Sequence, residues 1–349
     1  MSVHGILTED ESTLLQAVRE FARDRVRTAV KECESKREFA RALHEEMAAL
    51  GVFGLGVPEA SGGAGCRRVL QIAALEVLAE ESGAAGLMAL VQALAAEALA
   101  AGNDDAQAAV MDGTLIATLA LSTVAEAAGQ GESTCLDGSV HGVPGCGVAE
   151  VVICRSGEGP NSKLWSVKTS SSGVELQPAV ESLGMHGAAI GELRLAAAPA
   201  RLLLQGEKAA EFIAIVRLAI AAVLAGIAKG SVPPAQHYAR ERAQFGREII
   251  HLYGVQERLA RAESRANALS ALCCAAAMQS EPQAFARFAL LARWTAAAEA
   301  VLVADDALQV FGGFGFSREY PAERSLRDAR YLGLGEFDHA SAARELAEA

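Results

Sequence analysis

From Leu7 to about Gly113 the apolar positions recur every three or four residues, a spacing that predicts helices. In LTEDESTLLQAVREFARDRV, Thr8 reads as an N-cap and acids fill the first turn. Leu14, Leu15, Val18, Phe21 and Ala22 then form one apolar stripe. FARALHEEMAALGVFGLGV reads as a second amphipathic helix that ends at Gly51. PEASGGAG (58–65) is turn-rich, and a long Ala/Leu helical pair follows to about Ala101. Near Gly113 the period changes. LIATLALS, VAEVVICRS, KLWSVKTS, GVELQPA and GELRLAAA are short, alternating and bounded by glycine, as strands are. From Glu207 the helical period returns in long segments, broken near 280–283 and at FGGFGF (311–316). The expected fold is mainly α with a β middle domain: helices over 1–113, a β domain over 114–205 and a helical domain over 206–349.

Composition narrows the class. The chain of 349 residues is long enough for several domains. It is 51% hydrophobic but only 5% aromatic, so its helices are Ala- and Leu-rich and suited to close packing. Net charge is -12, which argues against nucleic acid as the main partner, because phosphate neutralisation needs clustered cations. A local basic pocket for an anionic cofactor stays compatible with that total. The seven cysteines are scattered and odd in number, with no CxxC, so neither a disulfide framework, a metal site nor a redox motif is signalled. MSVHGILTEDESTLL has no basic and then apolar run of the signal-peptide kind. AIVRLAIAAVLAGIA (214–228) carries Arg217 and reads as a core helix, not a membrane span. The expectation is a soluble, cytoplasmic protein.

Three C-terminal stretches carry candidate chemistry. YARERAQFGREI (238–249) offers Arg242, whose planar fork suits a pyrophosphate, beside Gln244 and Phe245. The same residues fit a helix C-cap with Gly246 left-handed and Arg242 paired with Glu241 or a neighbour. LQVFGGFGFSREYPAERSLRDAR (308–330) places Gln309 before Gly312 and Gly313, where a backbone can approach a ligand. It also fits a plain interhelical turn, and it follows a helix, which excludes a dinucleotide-binding βαβ fingerprint. RYLGLGEFDHASAAREL (330–346) contains Glu336, either a catalytic base or a solvated glutamate.

Taken in order, these stretches resemble the acyl-CoA dehydrogenase family over nearly the whole chain. GVFGLGVPEASGGAG (51–65) resembles the family's GlfGLxVPExxGGxG, and YARERAQFGREI resembles YaxeRxqFGxxI. Arg217 lies 21 residues before Tyr238, the family interval, and QVFGGFGFSREYPAERSLRDAR resembles QvlGGxGfxxeyPxeRxxRDar. The resemblance implies an N-terminal helical domain, a small β-barrel and a C-terminal four-helix bundle. It implies FAD, and desaturation of an acyl-CoA or acyl-carrier-protein thioester: a carboxylate takes the α-proton, acidified by hydrogen bonds to the thioester carbonyl, while the β-hydride goes to flavin. It assigns Glu336 as base, Arg217 to the substrate, and Arg242, Gln244, Phe245, Gln309, Gly312, Gly313 and Asp338 to the cofactor. The FAD contacted by the Arg242 group would belong to a neighbouring subunit, and electron-transferring flavoprotein would be the oxidant.

The chain also departs from the family. Ala329 is followed by RYLGLG and then Glu336, where the family's "EGT" begins, but Phe337 and Asp338 follow. Counting back from AREL puts the Glu position at Leu332. The residue before Arg217, where other family branches keep their base, is Val216. The family's TEPxxGSD loop is much shorter here. The strand NGxKxWITN becomes DGSVHGVPG, so Gly142–Pro144 stands where a flavin-flanking Trp and Thr are expected, with His141 beside it. Tyr253 replaces a family Gln. The ADP-side pattern is kept and the ring-side pattern is lost. That combination implies one subunit of a dimeric or tetrameric heteromer built with a related chain. The alternatives are a homo-oligomeric biosynthetic enzyme acting on a carrier-bound substrate, or a catalytically silent structural subunit.

Overall fold

The structure is a computed structural model that describes residues 6–122, 126–128, 134–178, 181–334 and 339–348. The chain opens with α1 (Glu9–Phe21), started by a reciprocal capping box. Thr8 Oγ1 accepts from the Glu11 amide at 3.2 Å, and Glu11 Oε2 accepts from the Thr8 amide at 2.9 Å. Leu15, Val18 and Phe21 form its buried stripe. One wide π turn, Ala22–Val26, joins α1 to α2 (Arg27–Lys36). Next come α3 (Arg41–Ala49), stopped by left-handed Gly51, then α4 (Arg68–Glu81), α5 (Gly83–Ala101) and short α6 (Gln107–Met111). Ser82 separates α4 from α5 and caps the latter, its hydroxyl accepting from the Ala85 amide at 3.3 Å.

Among the described residues the β region holds two four-stranded sheets. One runs β1–β4–β5–β8 (Ala117–Ala120, Val151–Ser156, Lys163–Lys168, Arg201–Gln205). The other runs β2–β3–β7–β6 (Glu126–Ala128, Cys135–Val143, Gly191–Pro199, Val174–Pro178). Among the described residues only β1 and β4 pair in parallel, Ala117 opposite Val151. In β7 the alternation of GELRL points Leu193 and Leu195 inward, against Leu136, Val140, Val152 and Trp165. Positive φ at Ala197 shifts the period, so Ala198 is buried next.

Four long helices close the chain: α7 (Glu207–Glu241), α8 (Tyr253–Ala277), α9 (Pro282–Phe311) and α10 (Ala322–Leu334). A two-residue-strand hairpin (β9 Ala243–Gln244, β10 Arg247–Glu248) lies between α7 and α8, and α11 (His339–Glu348) ends the chain. α7 is the axis, touching α4, α5, α8, α9 and α10. Gly226 and Gly230 let it approach α4 so closely that a Cβ on either would strike the carbonyls of Glu76 and Glu80. At this contact Lys229 Nζ lies 2.6 Å from Glu76 and 2.9 Å from Glu80, and Ser270 donates to Glu76 at 2.7 Å. α5 and α7 are the helices of the described residues long and apolar enough to cross a membrane. Yet 94% and 83% of their most apolar windows are buried inside the protein.

Candidate functional site

The first candidate stretch is built by the end of α7. The helix stops at Glu241 because the next residues turn back as a hairpin, Gln244 opposite Arg247 and Ala243 opposite Glu248. Phe245 (φ 52) and Gly246 (φ 79) are its two central residues, and positive φ at both suits the twist of a two-residue hairpin. The Ile249 amide donates to Arg242 O at 2.8 Å and locks the base. This corrects the simple helix-cap expectation. The turn holds Phe245 88% exposed, an unusual position for an aromatic side chain. The expected Arg242–Glu241 pair does not form either. Glu241 lies 3.2 Å from His237, and Arg242 is exposed with no ion pair among the described residues.

The second stretch follows α9. Gly312 (φ 59, ψ -134) turns the chain in a conformation open to glycine, and added Cβ atoms on Gly312 and Gly313 would meet nothing within 4 Å. Gln309 makes one long contact, 3.5 Å to Asp305. Both stretches rest on one aromatic floor that the sequence argument did not single out. Tyr238 of α7 lies tilted against Phe311 at 4.7 Å and edge-on to Tyr320 at 5.6 Å, and Phe311 meets Tyr320 at 5.0 Å. The alternating aromatics of FGGFGFSREY were the available signal. Arg242, Gln244 and Phe245 are therefore brought to the same end of the bundle as Gln309, Gly312 and Gly313. Tyr253, 78% exposed, begins α8 nearby in sequence.

The β-domain side is built differently. After β3, Val143 is buried and Pro144 O accepts from the buried Thr118 hydroxyl at 2.7 Å. The amides of Gly145 and Cys146 donate to Ala188 O and Ala189 O, each at 2.8 Å. Met88 of α5 packs beside Gly145. The backbone where a flavin-flanking group was sought is thus spent on protein partners. His141 points outward, 64% exposed and 3.8 Å from Glu192, so it does not take the missing role. Trp165 is buried in the β core, its indole donating to Ser156 at 2.8 Å.

The loop that receives those amides is pinned from α10. Asp328 Oδ1 accepts from the Met185 amide at 2.6 Å, holding Met185 at φ 59. Burial, reinforced by the Glu34 charge, pushes the Asp328 carboxyl up to about 6, against the opposing pull of the Met185 amide and of Arg324 and Arg327.

At the end of α10, Arg293 Nη2 donates to Leu332 O and Gly333 O, each at 3.3 Å. Leu332, the position reached by counting back from AREL, is fully buried among apolar neighbours. Glu336 and Asp338 lie outside the described residues. Arg217 is buried in α7 and meets Glu345 of α11 through two hydrogen bonds, 2.9 and 2.7 Å. Val216 beside it is buried.

A long central helix, a two-sheet middle region and a helical bundle make up the architecture, and comparison makes its class specific. Residues 206–336 match the acyl-CoA dehydrogenase C-terminal domain and residues 8–116 the N-terminal domain. An acyl-CoA dehydrogenase of Bacillus subtilis (strain 168) is 29% identical over 359 residues, covering 95% of each chain. Butyryl-CoA dehydrogenase from Megasphaera elsdenii has the same fold (TM-score 0.87, 22% identity, 98% of each chain). A variant of the Tcur3481-Tcur3483 steroid ACAD superposes with TM-score 0.85 at 25% identity, over 97% of each chain. The chain belongs to the acyl-CoA dehydrogenase family, a class of oxidoreductases acting on CH–CH bonds.

The residues fit FAD unevenly. The bundle end offers an unpaired guanidinium, an exposed aromatic and open glycine backbone, which suit a pyrophosphate and an adenine. At the strand end after β3 the Gly145 and Cys146 amides are taken by Ala188 and Ala189, and Gly142–Pro144 presents no aromatic side chain to a flavin ring.

Proposed function

We propose that this chain is one subunit of a heteromeric acyl-CoA dehydrogenase-type enzyme. It lends its bundle end to an FAD whose ring is held by a related subunit. The observation that carries this reading is the contrast at the two candidate faces. Arg242, Phe245, Gly312 and Gly313 are exposed or open, while Pro144, Gly145 and Cys146 are hydrogen-bonded within the protein. Bound FAD would take up the two electrons of the CH–CH bond. This chain would supply the Arg242 fork for the diphosphate and a flat surface at Phe245 and the glycine pair for the adenine. The substrate would be an acyl thioester, and electron-transferring flavoprotein the oxidant. Seven free thiols, five of them buried, support a cytoplasmic setting. The three-domain division at 113 and 205 follows the change from helices to strands and back.

The Arg217–Glu345 pair favours a restrained role for this chain's own substrate side. An arginine engaged twice by a carboxylate of its own chain has less to give a thioester. Glu336 remains the residue proposed as base.

The test is visible absorbance of the purified chain alone and after co-expression with the related subunit. We expect no flavin in the first and flavin in the second. R242Q in this chain should lower the flavin content of the complex at unchanged subunit ratio. A stoichiometric flavin spectrum from the chain alone would overturn the proposal.

A further inference from the structure

A cavity of about 1000 Å³ opens between the N-terminal helices and the bundle, and shares Tyr320 with the aromatic floor while excluding Arg242, Phe245 and the glycine pair. Its walls come from α1, the π turn and α2 on one side, α4 and α7 behind, and the segment 318–328 on the other. This is the size range of sites that take a nucleotide-sized ligand.

We infer that this cavity binds a phosphate-bearing small molecule of nucleotide size. The argument starts from charge. The protein carries a net charge of -12, yet the cavity is lined by eight Lys and Arg side chains against six carboxylates. The carboxylates are largely spent. Glu80 is held by Arg19 and Lys229, Glu81 by Arg27, and Glu34 and Glu323 by Arg327. Asp328 takes the Met185 amide, and its environment favours the neutral form. Glu319 alone is exposed and without a cation among the described residues. Four cations remain without an ion pair among those residues: Arg23 and Lys31 on one wall, Arg318 and Arg324 on the other. Unpaired like charges facing one another across a concavity raise its potential and favour an anion that can bridge them.

The backbone supports this. Arg23 sits in the π turn, whose extra residue widens the helix at the cavity wall. Across from it, Pro233 and Pro234 lie inside α7, so neither has an N–H for the carbonyls of Lys229 and Gly230, which also line the cavity. Those carbonyls can accept from a ribose or base. The first turn of the 13-residue helix α10 also faces the cavity and adds amide dipoles to the Arg318–Arg324 side. Val30, Val77 and Ile227 give an apolar stretch for a flat ring.

The test is calorimetric titration of the full chain with ADP and, separately, inorganic pyrophosphate, at physiological ionic strength. The proteins are wild type, R318Q/R324Q, R23Q/K31Q and R242Q. We expect saturable binding, about tenfold or more weaker in each paired variant and retained in R242Q, which removes any share of the probe held at the proposed FAD face. Circular dichroism checks that each variant is folded. Arg23 and Lys31 are exposed, so their pair carries the test if R318Q/R324Q unfolds. Absence of saturable binding, or affinity indifferent to both pairs, would overturn the inference. So would binding lost in R242Q alone, since the probe would then occupy the proposed FAD face. Flavin-free complexes with intact probe binding would sink the FAD reading and leave this one standing.

Discussion

The two faces on which the family resemblance depends have opposite construction. At the bundle end, an aromatic floor of Tyr238, Phe311 and Tyr320 supports an open surface. At the end of β3, Thr118, Ala188, Ala189 and Met88 fill the corresponding ground with hydrogen bonds and packing. Open and filled surfaces obey different energetics. A filled site loses stability when it is cut back, whereas an open one loses only what it would have bound.

Three substitutions sharpen that contrast. The largest effect is expected from Met88→Ala. Met88 is 2% exposed, and its truncation leaves a void beside Gly145. Thermal or denaturant unfolding should register a loss of about 2–5 kcal/mol. A neutral result would mean that the space is naturally vacant and available to a ring.

Next comes Asp328→Asn, which addresses the loop that closes the β side. The folded-state carboxyl is raised, so its favourable contribution is complete below about 4 and is lost as pH climbs through about 6. Between those values wild-type stability should fall relative to Asp328→Asn by on the order of 3 kcal/mol, read as the difference between paired urea melts. Parallel curves across that window would break the assignment of a raised carboxyl.

The smallest change in stability is expected from Phe245→Ala, within about 0.5 kcal/mol for so exposed a side chain. Its effect should appear instead as weaker flavin retention in the co-expressed complex. A large loss of stability would show that the hairpin tip is packed in the isolated chain.

Much of the architecture was legible because the pattern was simple. Thr8 with its following acids marked the first cap, and the Ala/Leu period marked α4 and α5. The change to period two at Gly113 marked the strands. Local sequence could not disclose the hairpin after α7. FG reads equally as a C-cap and as a two-residue turn, and the choice rests on Ile249 bonding back to Arg242. Nor could it show that Arg217 meets Glu345, 128 residues away, since that pair exists only once α11 is docked. The aromatic floor was missed for a similar reason. Tyr238, Phe311 and Tyr320 are far apart in sequence and meet only in the bundle. The cavity beside α1 left no motif, since its cations are spread over three segments.

α5 has a consequence for how the chain is made. All its residues from Gly83 to Ala100 are buried, so it has no polar side to show water. Its long partner α7 begins at Glu207, about a hundred residues later. At ordinary synthesis rates of roughly 5–20 residues per second, the gap is on the order of ten seconds. During that interval α4, α6 and β1 can already pack on α5, and the face that α7 will cover stays bare, an apolar strip exposed until the bundle is made.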